Sequence, residues 1–426
     1  MSREPLRVAV LARAVWPLHG HGGLERHVYD LVAHLAGRDV RVTLVVPPPR
    51  PGRPRALELA GDGCTLVTVP YVTFPLANRR WTTILDRDTA YPMYGWRAGR
   101  RALRLVAAGA IDVVHALGAS GLGYALARGA DPRATAPFVL NPQGLEEFGA
   151  TDPRRARLKR LAYWPLRQAV VACARASDAV IATDEALRPI VVGHLPVDPT
   201  RVHVVPNAVD LERVDRLAPA GEGARLRAAH GIGDDECLLV SVGRIEENKG
   251  FHVLADALAR LASAGTPLPP WRWVLVGDGP YRARLLRYPA VRALESRMIC
   301  IGRVDDRELH AFLDAADLFV HPTLYEGSSL VTLEAMAHRL AVVATRAGGL
   351  PDKVVAGQTG WLVPPGDAAA LADALADALR AGPEERRRRG LAGRALAERR
   401  FAWPAVVDGL IDVYCGLTAA RQQVTR

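Results

Sequence analysis

Lysine is nearly missing from this chain of 426 residues: of 55 basic side chains, Lys159, Lys249 and Lys353 are the three that are not arginine. A lysine at any chosen position is therefore a rare event that asks for a reason. Cysteine is also sparse. The five cysteines, Cys64, Cys173, Cys237, Cys300 and Cys415, are odd in number, scattered and never spaced C-x-x-C, which argues against a disulfide framework or a structural zinc site. No run of eighteen apolar residues occurs, so no helix is predicted to span a membrane. The first apolar stretch, Leu6–Ala12, is too short for a secretory signal and reads as a buried strand, so a cytoplasmic location is expected. Acidic residues number 45, leaving a net charge of +10. That balance suits anionic ligands, nucleic acid or an anionic membrane surface, and charge alone does not choose among them.

What the chain does have is a regular alternation of strand-like and helix-like segments, which predicts doubly wound parallel sheets. Strands are read at Leu6–Ala12, Val40–Val46, Thr65–Val69, Asp112–Leu117, Phe138–Asn141, Ala179–Thr183 and Val202–Val205. A second series follows at Leu238–Val242, Trp273–Val276, Met298–Ile301, Leu318–His321, Ala341–Ala344 and Trp361–Val363. The length suits two domains. A polar stretch with Pro219, Gly221 and Gly223 follows Asp210, which places an N-terminal domain at 1–210 and a C-terminal domain at 211–400. Residues 401–426 form an amphipathic helix expected to pack back on the first domain.

The most informative stretch is Glu326-Gly327-Ser328-Ser329-Leu330-Val331-Thr332-Leu333-Glu334, running from a buried strand into a helix. Such a turn lies at a strand's carboxyl end, where open α/β sheets bind ligands, and the amides of Ser328 to Leu330 suit a phosphate. Eight residues span up to ~12 Å of helix axis, more than the roughly 5–9.5 Å over which two carboxyls share work on one glycosidic bond. Glu326 and Glu334 are therefore read as holding hydroxyls at two ends of one extended ligand, such as a nucleotide-diphosphate sugar.

A second motif, Val242-Gly243-Arg244-Ile245-Glu246-Glu247-Asn248-Lys249-Gly250, follows the first strand of the second series. A forked guanidinium and a compact ammonium together neutralise a diphosphate, which nominates Arg244 and Lys249. The loop Gly20-His21-Gly22-Gly23-Leu24-Glu25-Arg26 follows the first strand and opens a helix, where Gly22 and Gly23 let an anion approach the backbone. It does not spell G-x-G-x-x-G, and no acidic residue ends the second strand. Both absences disfavour an NAD-dependent oxidoreductase.

These motifs, with Val205-Pro206-Asn207-Ala208-Val209-Asp210, Val276-Gly277-Asp278-Gly279-Pro280, Gly302-Arg303-Val304 and Gly348-Gly349-Leu350-Pro351, give the chain a family resemblance over nearly its whole length. It resembles the retaining nucleotide-sugar glycosyltransferases of family 4. The resemblance implies the GT-B fold, two Rossmann-like domains facing a central cleft. It further implies that Arg244 and Lys249 bind the donor diphosphate, Glu326 the donor sugar and Glu334 the ribose, with Gly302, Arg303 and Val304 lining the base. Gly327, Ser328, Ser329 and Leu330 complete the donor set. The implied reaction is a front-face displacement in which the leaving diphosphate helps to deprotonate a hydroxyl acceptor, as in polysaccharide biosynthesis.

Against the family pattern, His115 is the candidate for a histidine that relatives carry after the fourth strand. Gln143 in Asn141-Pro142-Gln143-Gly144-Leu145-Glu146-Glu147 stands where many relatives have histidine, and Ser328 and Ser329 replace an aromatic and a glycine. Glu326, Lys249, Arg244 and His115 form the expected catalytic set. No cofactor or metal is expected: the D-x-D at Asp86-Arg87-Asp88 follows no clear strand, and His19, His21 and His27 lack zinc spacing. His27 and His34 read as helix-surface residues, and Arg386 to Arg389 as an exposed helix paired to Glu384 and Glu385. The segment Pro153–Arg175, basic and without acid, fits either a solvated helix or peripheral contact with the inner face of an anionic membrane. The alternatives are a nucleotide-sugar epimerase of the same fold, an oxidoreductase, and a basic binding protein. The last has no stacking aromatics to support nucleic acid as a partner.

Overall fold

The computed structural model describes residues 4–20, 22–59, 63–72, 86–128, 136–143, 145, 148, 156–217, 221–265, 267–294 and 296–424. His21, Gly144, Glu146, Glu147 and residues 153–155 of the motifs above lie outside these, as do the side chains of Asp86, Arg87 and Lys159. The chain forms two compact units, Met1–Asn207 with Trp403–Arg426, and Ala208–Ala402.

Among the described residues the first unit holds seven strands: β1 (Arg7–Leu11), β2 (Arg41–Val46), β3 (Cys64–Thr68), β4 (Val113–Leu117), β5 (Phe138–Asn141), β6 (Ala179–Ala182) and β7 (Val202–Val204). They pair in parallel in the order β3-β2-β1-β4-β5-β6-β7. The second unit holds β8 (Cys237–Val242), β9 (Trp271–Val276), β10 (Met298–Gly302), β11 (Leu318–His321), β12 (Ala341–Thr345) and β13 (Gly360–Val363), all parallel, in the order β10-β9-β8-β11-β12-β13. All thirteen strands among the described residues coincide with segments read from the sequence, β5 and β11 residue for residue and the others within two residues at either end.

A strand buried on both faces needs apolar residues at nearly every position, and β8, whose one polar side chain, Ser241, donates to Val320 O, shows why. Cys237 and Leu239 enter one core and Leu238, Val240 and Val242 the other. In both sheets the strand order reverses beside the first strand, between β1 and β4 and between β8 and β11. Loops leave such a point in opposite directions and open a crevice at the carboxyl ends.

The helix Trp403–Val424 belongs to the first unit, and it corrects three expectations about histidines. Trp403, 1% exposed, lies with its ring 5.5 Å from His27 and stacks at 5.2 Å on His34. His27 is buried, and desolvation pushes its imidazole down to about 4. Both histidines thus lie against the helix that covers them, His27 buried and His34 half-buried. His115 sits in the middle of β4, 2% exposed, with Nδ1 2.6 Å from the Tyr414 hydroxyl. Burial, with a smaller contribution from His27, pushes His115 down to about 3, and its Nε2 is buried with no hydrogen-bond partner among the described residues. Arg386 is also buried, donating to the carbonyls of Ala378 and Leu379, whereas Arg388 and Arg389 pair with Glu385 as expected.

Candidate active site

The crevice between β8 and β11 is where the second unit gathers its rare side chains. The loop after β8 ends at Gly250, whose φ of 70° is open to glycine and strained for other residues. A Cβ there would stand 2.0 Å from the Pro322 carbonyl oxygen, so the two loops touch backbone to backbone. Asn248 reinforces the contact, its carbonyl accepting from Leu324 N at 2.8 Å and Thr323 Oγ1 at 3.2 Å. This packing brings Lys249 to Glu326. Lys249 Nζ donates to Glu326 Oε2 at 2.9 Å, and His321 Nε2 donates to the same oxygen at 2.9 Å.

Burial alone would push the Glu326 carboxyl up. The His321 hydrogen bond and the charge of Lys249 outweigh it and hold the group down to about 2. Glu326 is therefore a carboxylate across the physiological range, an acceptor for hydroxyl protons rather than a proton donor.

The loop after β12 supports this group from below. Gly348 has φ 52°, and a Cβ on it would lie 1.9 Å from the Glu326 carbonyl oxygen. Gly349 N donates to Gly327 O at 2.8 Å. Ser329 then caps the helix Leu330–Ala337, its hydroxyl accepting from Thr332 N, which leaves the first amides of the helix at the turn. Ser328 Oγ accepts from Lys353 Nζ at 3.1 Å, and Lys353, fully buried, also donates to Gly349 O at 3.3 Å. Two of the chain's three lysines thus serve one turn. Glu334 lies half-buried in the second turn of the same helix.

Neither His321 nor Lys353 figured among the sequence candidates. His321 had a signal, a histidine ending a buried strand five residues before Glu326. Lys353 had its rarity.

The remaining donor residues line the same edge without joining the cluster. Arg244 is exposed and paired with Glu246 at 3.0 Å. Backbone bonds from Gly243 N to Val276 O and from Gly277 N to Gly302 O tie the ends of β8, β9 and β10 together. Gly302, with φ 95°, the exposed Arg303 and the half-buried Val304 end β10, at the sheet's edge.

In the first unit, Gly22 and Gly23 are exposed at the start of the helix Gly23–Ala36, and a side chain at Gly22 would meet the Glu25 carboxylate at 2.4 Å. Gln143 follows β5 with φ 63°, a strained value for a residue other than glycine. Its Nε2 is buried with no hydrogen-bond partner among the described residues. Among those residues no group of three or more His, Cys, Asp or Glu side chains is placed to hold a metal ion, and no helix is long and apolar enough to cross a membrane.

Comparison with known proteins supplies the class to which these two parallel sheets and the charged crevice of the second belong. The family model "Glycosyltransferase Family 4" matches residues 21–213, and "Glycosyl transferases group 1" matches residues 236–381. Alpha-maltose-1-phosphate synthase of Mycobacterium tuberculosis is 31% identical over 96% of this chain and 99% of its own length. D-inositol 3-phosphate glycosyltransferase of Streptomyces scabiei is 30% identical over 97% of this chain and 92% of its own. The chain belongs to glycosyltransferase family 4 and is a glycosyltransferase. Its GT-B fold is shared with sucrose-phosphate synthase from Thermosynechococcus elongatus, with a TM-score of 0.75 at 23% identity over 97% of this chain and 100% of that one. Anabaena Alr3699/HepE, solved in complex with UDP-glucose, matches with a TM-score of 0.67 at 19% identity, over 96% of this chain and 100% of that one.

Proposed function

We propose that this enzyme moves a hexosyl unit from a nucleotide-diphosphate sugar to a hydroxyl of a cell-envelope glycan, lipid or small metabolite, with retention and without a metal. The convergence of Lys249, His321 and the carboxylate of Glu326 beside the capped helix Leu330–Ala337 carries this reading. Glu326 accepts hydrogen bonds from the sugar hydroxyls, and Glu334 from the ribose. The helix amides, Lys249 and Arg244 take the diphosphate. Arg244, exposed and bound to a neighbouring glutamate, has the freedom to turn onto a phosphate oxygen. Gly302 to Val304 line the base, and Gly22, Gly23 and Gln143, whose Nε2 is buried with no hydrogen-bond partner among the described residues, are the first unit's candidates for binding a phosphate or acceptor group.

In the reaction the bond from the anomeric carbon to the diphosphate oxygen breaks as the acceptor oxygen attacks from the same face. The acceptor proton passes to a departing phosphate oxygen, and the cationic groups stabilise the charge that develops there. No protein base is required, which fits a Glu326 carboxylate that is a weak base, held down to about 2, and a His115 buried away from solvent. The nucleotide-sugar relatives point the same way: one is named a GDP-mannose-dependent mannosyltransferase, and the HepE structure holds UDP-glucose.

A thermal-shift panel of UDP, GDP and ADP sugars identifies the donor, since a ligand at 100 times its Kd adds ~2.7 kcal/mol of stability. With that donor, nucleotide diphosphate is expected to appear only when an acceptor is present, at a rate unchanged by EDTA. Sugar epimerisation without acceptor, or loss of the rate in EDTA, would overturn the corresponding part of the proposal.

A further inference from the structure

The first unit carries a surface that transfer chemistry does not use. Three runs of helix, Tyr91–Ala107, Leu122–Arg128 and Ala156–Ala176 (the last interrupted at Tyr163), pack against one another over one core. Close backbone approach fixes the inward faces of the first two, and Leu166, Ala169 and Val170 of the third are buried in the same core. A Cβ on Gly95 would lie 1.9 Å from Ala119 O, one on Gly99 would lie 2.2 Å from Tyr124 N, and one on Gly123 would lie 1.9 Å from Trp96 O. With that side sealed, the opposite sides are committed to the exterior.

What they display there is unusual for a surface. Met93, Trp96, Leu126, Leu158, Leu161 and Trp164 are between 43% and 76% exposed. Six of the nine large apolar side chains exposed among the described residues therefore belong to this one helical layer. Leu158, Leu161 and Trp164 follow at three-residue intervals. Around them Arg97, Arg100, Arg104, Arg157 and Arg160 are exposed, and these helices contain no aspartate or glutamate at all. Arg97 Nη1 donates to Pro70 O at 2.9 Å, and the Arg100 guanidinium lies 5.9 Å from the Trp96 ring. Beside this stripe, a cavity of about 620 Å³ is lined by Trp96, Arg97, Arg100, Arg101 and Arg104 with the edge at Thr68 to Pro70.

We propose that this face docks on an anionic lipid bilayer, with Leu158, Leu161 and Trp164 entering the headgroup boundary and the arginines meeting lipid phosphates. Exposed aliphatic and indole groups gain free energy where acyl chains begin, and each arginine near a negative leaflet adds attraction. The combination selects among partners. A second copy of the chain would set arginine against arginine across a self-complementary contact. A nucleic acid would satisfy the arginines and leave the leucines in water. The basic segment singled out in the sequence is one part of this layer, and the helix Tyr91–Ala107 is the part that folding adds.

The test is sedimentation of the full chain with phosphatidylcholine vesicles, with and without phosphatidylglycerol, and it needs no donor or acceptor. Binding is expected with phosphatidylglycerol and not without it, weakening as salt is raised. Leu161→Glu with Trp164→Glu should weaken it by about tenfold or more, and Arg97→Glu with Arg100→Glu should also weaken it. All four side chains are exposed, so melting temperatures should hold; should a variant fail to fold, the salt titration of the unmodified chain still decides. No sedimentation, equal binding to neutral vesicles, or binding untouched in both folded variants would overturn the proposal. So would a dimer in light scattering, or DNA binding, that disappears with Leu161→Glu and Trp164→Glu while vesicle binding persists.

Discussion

Lys249 Nζ and Glu326 Oε2 stand 2.9 Å apart although 77 residues of chain separate them. The pair is largely shielded from water, so removing one member leaves the other charge without its match. Glu326→Ala and Lys249→Ala are expected to lower turnover by at least about a hundredfold. Each should also cost up to about 3 kcal/mol in denaturant unfolding. The double variant should cost less than the sum of the two. Additive losses in that cycle would mean the residues do not act as a unit.

The same pair sets an acid dependence. Glu326 titrates lower in the fold, at about 2, than its ordinary 4.5, so its contribution is complete above the unfolded value and is lost as pH falls from there through about 2. The difference is on the order of 3 kcal/mol. Urea unfolding at pH 7, 4 and 3 should show the native chain losing stability that Glu326→Gln, already lacking the charge, has no means to lose. Parallel pH profiles for the two would contradict the assigned environment.

Lys353 donates to Ser328 and Gly349 from a fully buried position, and Lys353→Met removes those bonds while keeping most of the volume. A loosened turn holds the donor less well, so the donor KM should rise by about tenfold while kcat changes less. An unchanged KM with lost stability would reduce Lys353 to a packing role.

Gly348→Ala introduces a Cβ 1.9 Å from the Glu326 carbonyl oxygen at a φ of 52°. The loops must part, and a loss of about 2 kcal/mol or more is expected together with most of the activity. Calorimetry and a donor-binding titration read both. Wild-type behaviour would show that the carbonyl has room to move.

Tyr414→Phe tests the place of His115. It strips Nδ1 of its neighbour at 2.6 Å and should cost about 1–3 kcal/mol with turnover per folded molecule unchanged. A large fall in kcat without a fall in stability would restore His115 to the catalytic set.

Much of this was legible before folding, for identifiable reasons. Strands buried on both faces write themselves as continuous apolar runs, so β8 and β11 stand out, and with them the loops that carry Lys249 and Glu326. Glycines at Gly250 and Gly348 marked turns without saying what they press against, because the neighbours are backbone atoms distant in sequence. Partners chosen by tertiary packing were not legible. His27 and His34 look like surface residues on their own helix, yet Trp403 packs against both, leaving His27 buried and His34 half-buried. His321 and Lys353 gain their roles from Glu326 and Ser328, and no local pattern records those contacts. Arg386 sits in a polar run that reads as solvated, yet carbonyls of the preceding helix draw it inward.

The scarcity of lysine has a practical sequel. Lys353 is sealed from solvent, whereas the Lys249 side chain keeps about a fifth of its surface accessible. An amine-directed reagent applied to the native chain thus finds very few targets, and one of them is in the crevice where the donor is proposed to bind. Acylation at Lys249, followed by peptide mass mapping, turns that primary amine into a built-in occupancy gauge, slowed by any molecule that settles over it.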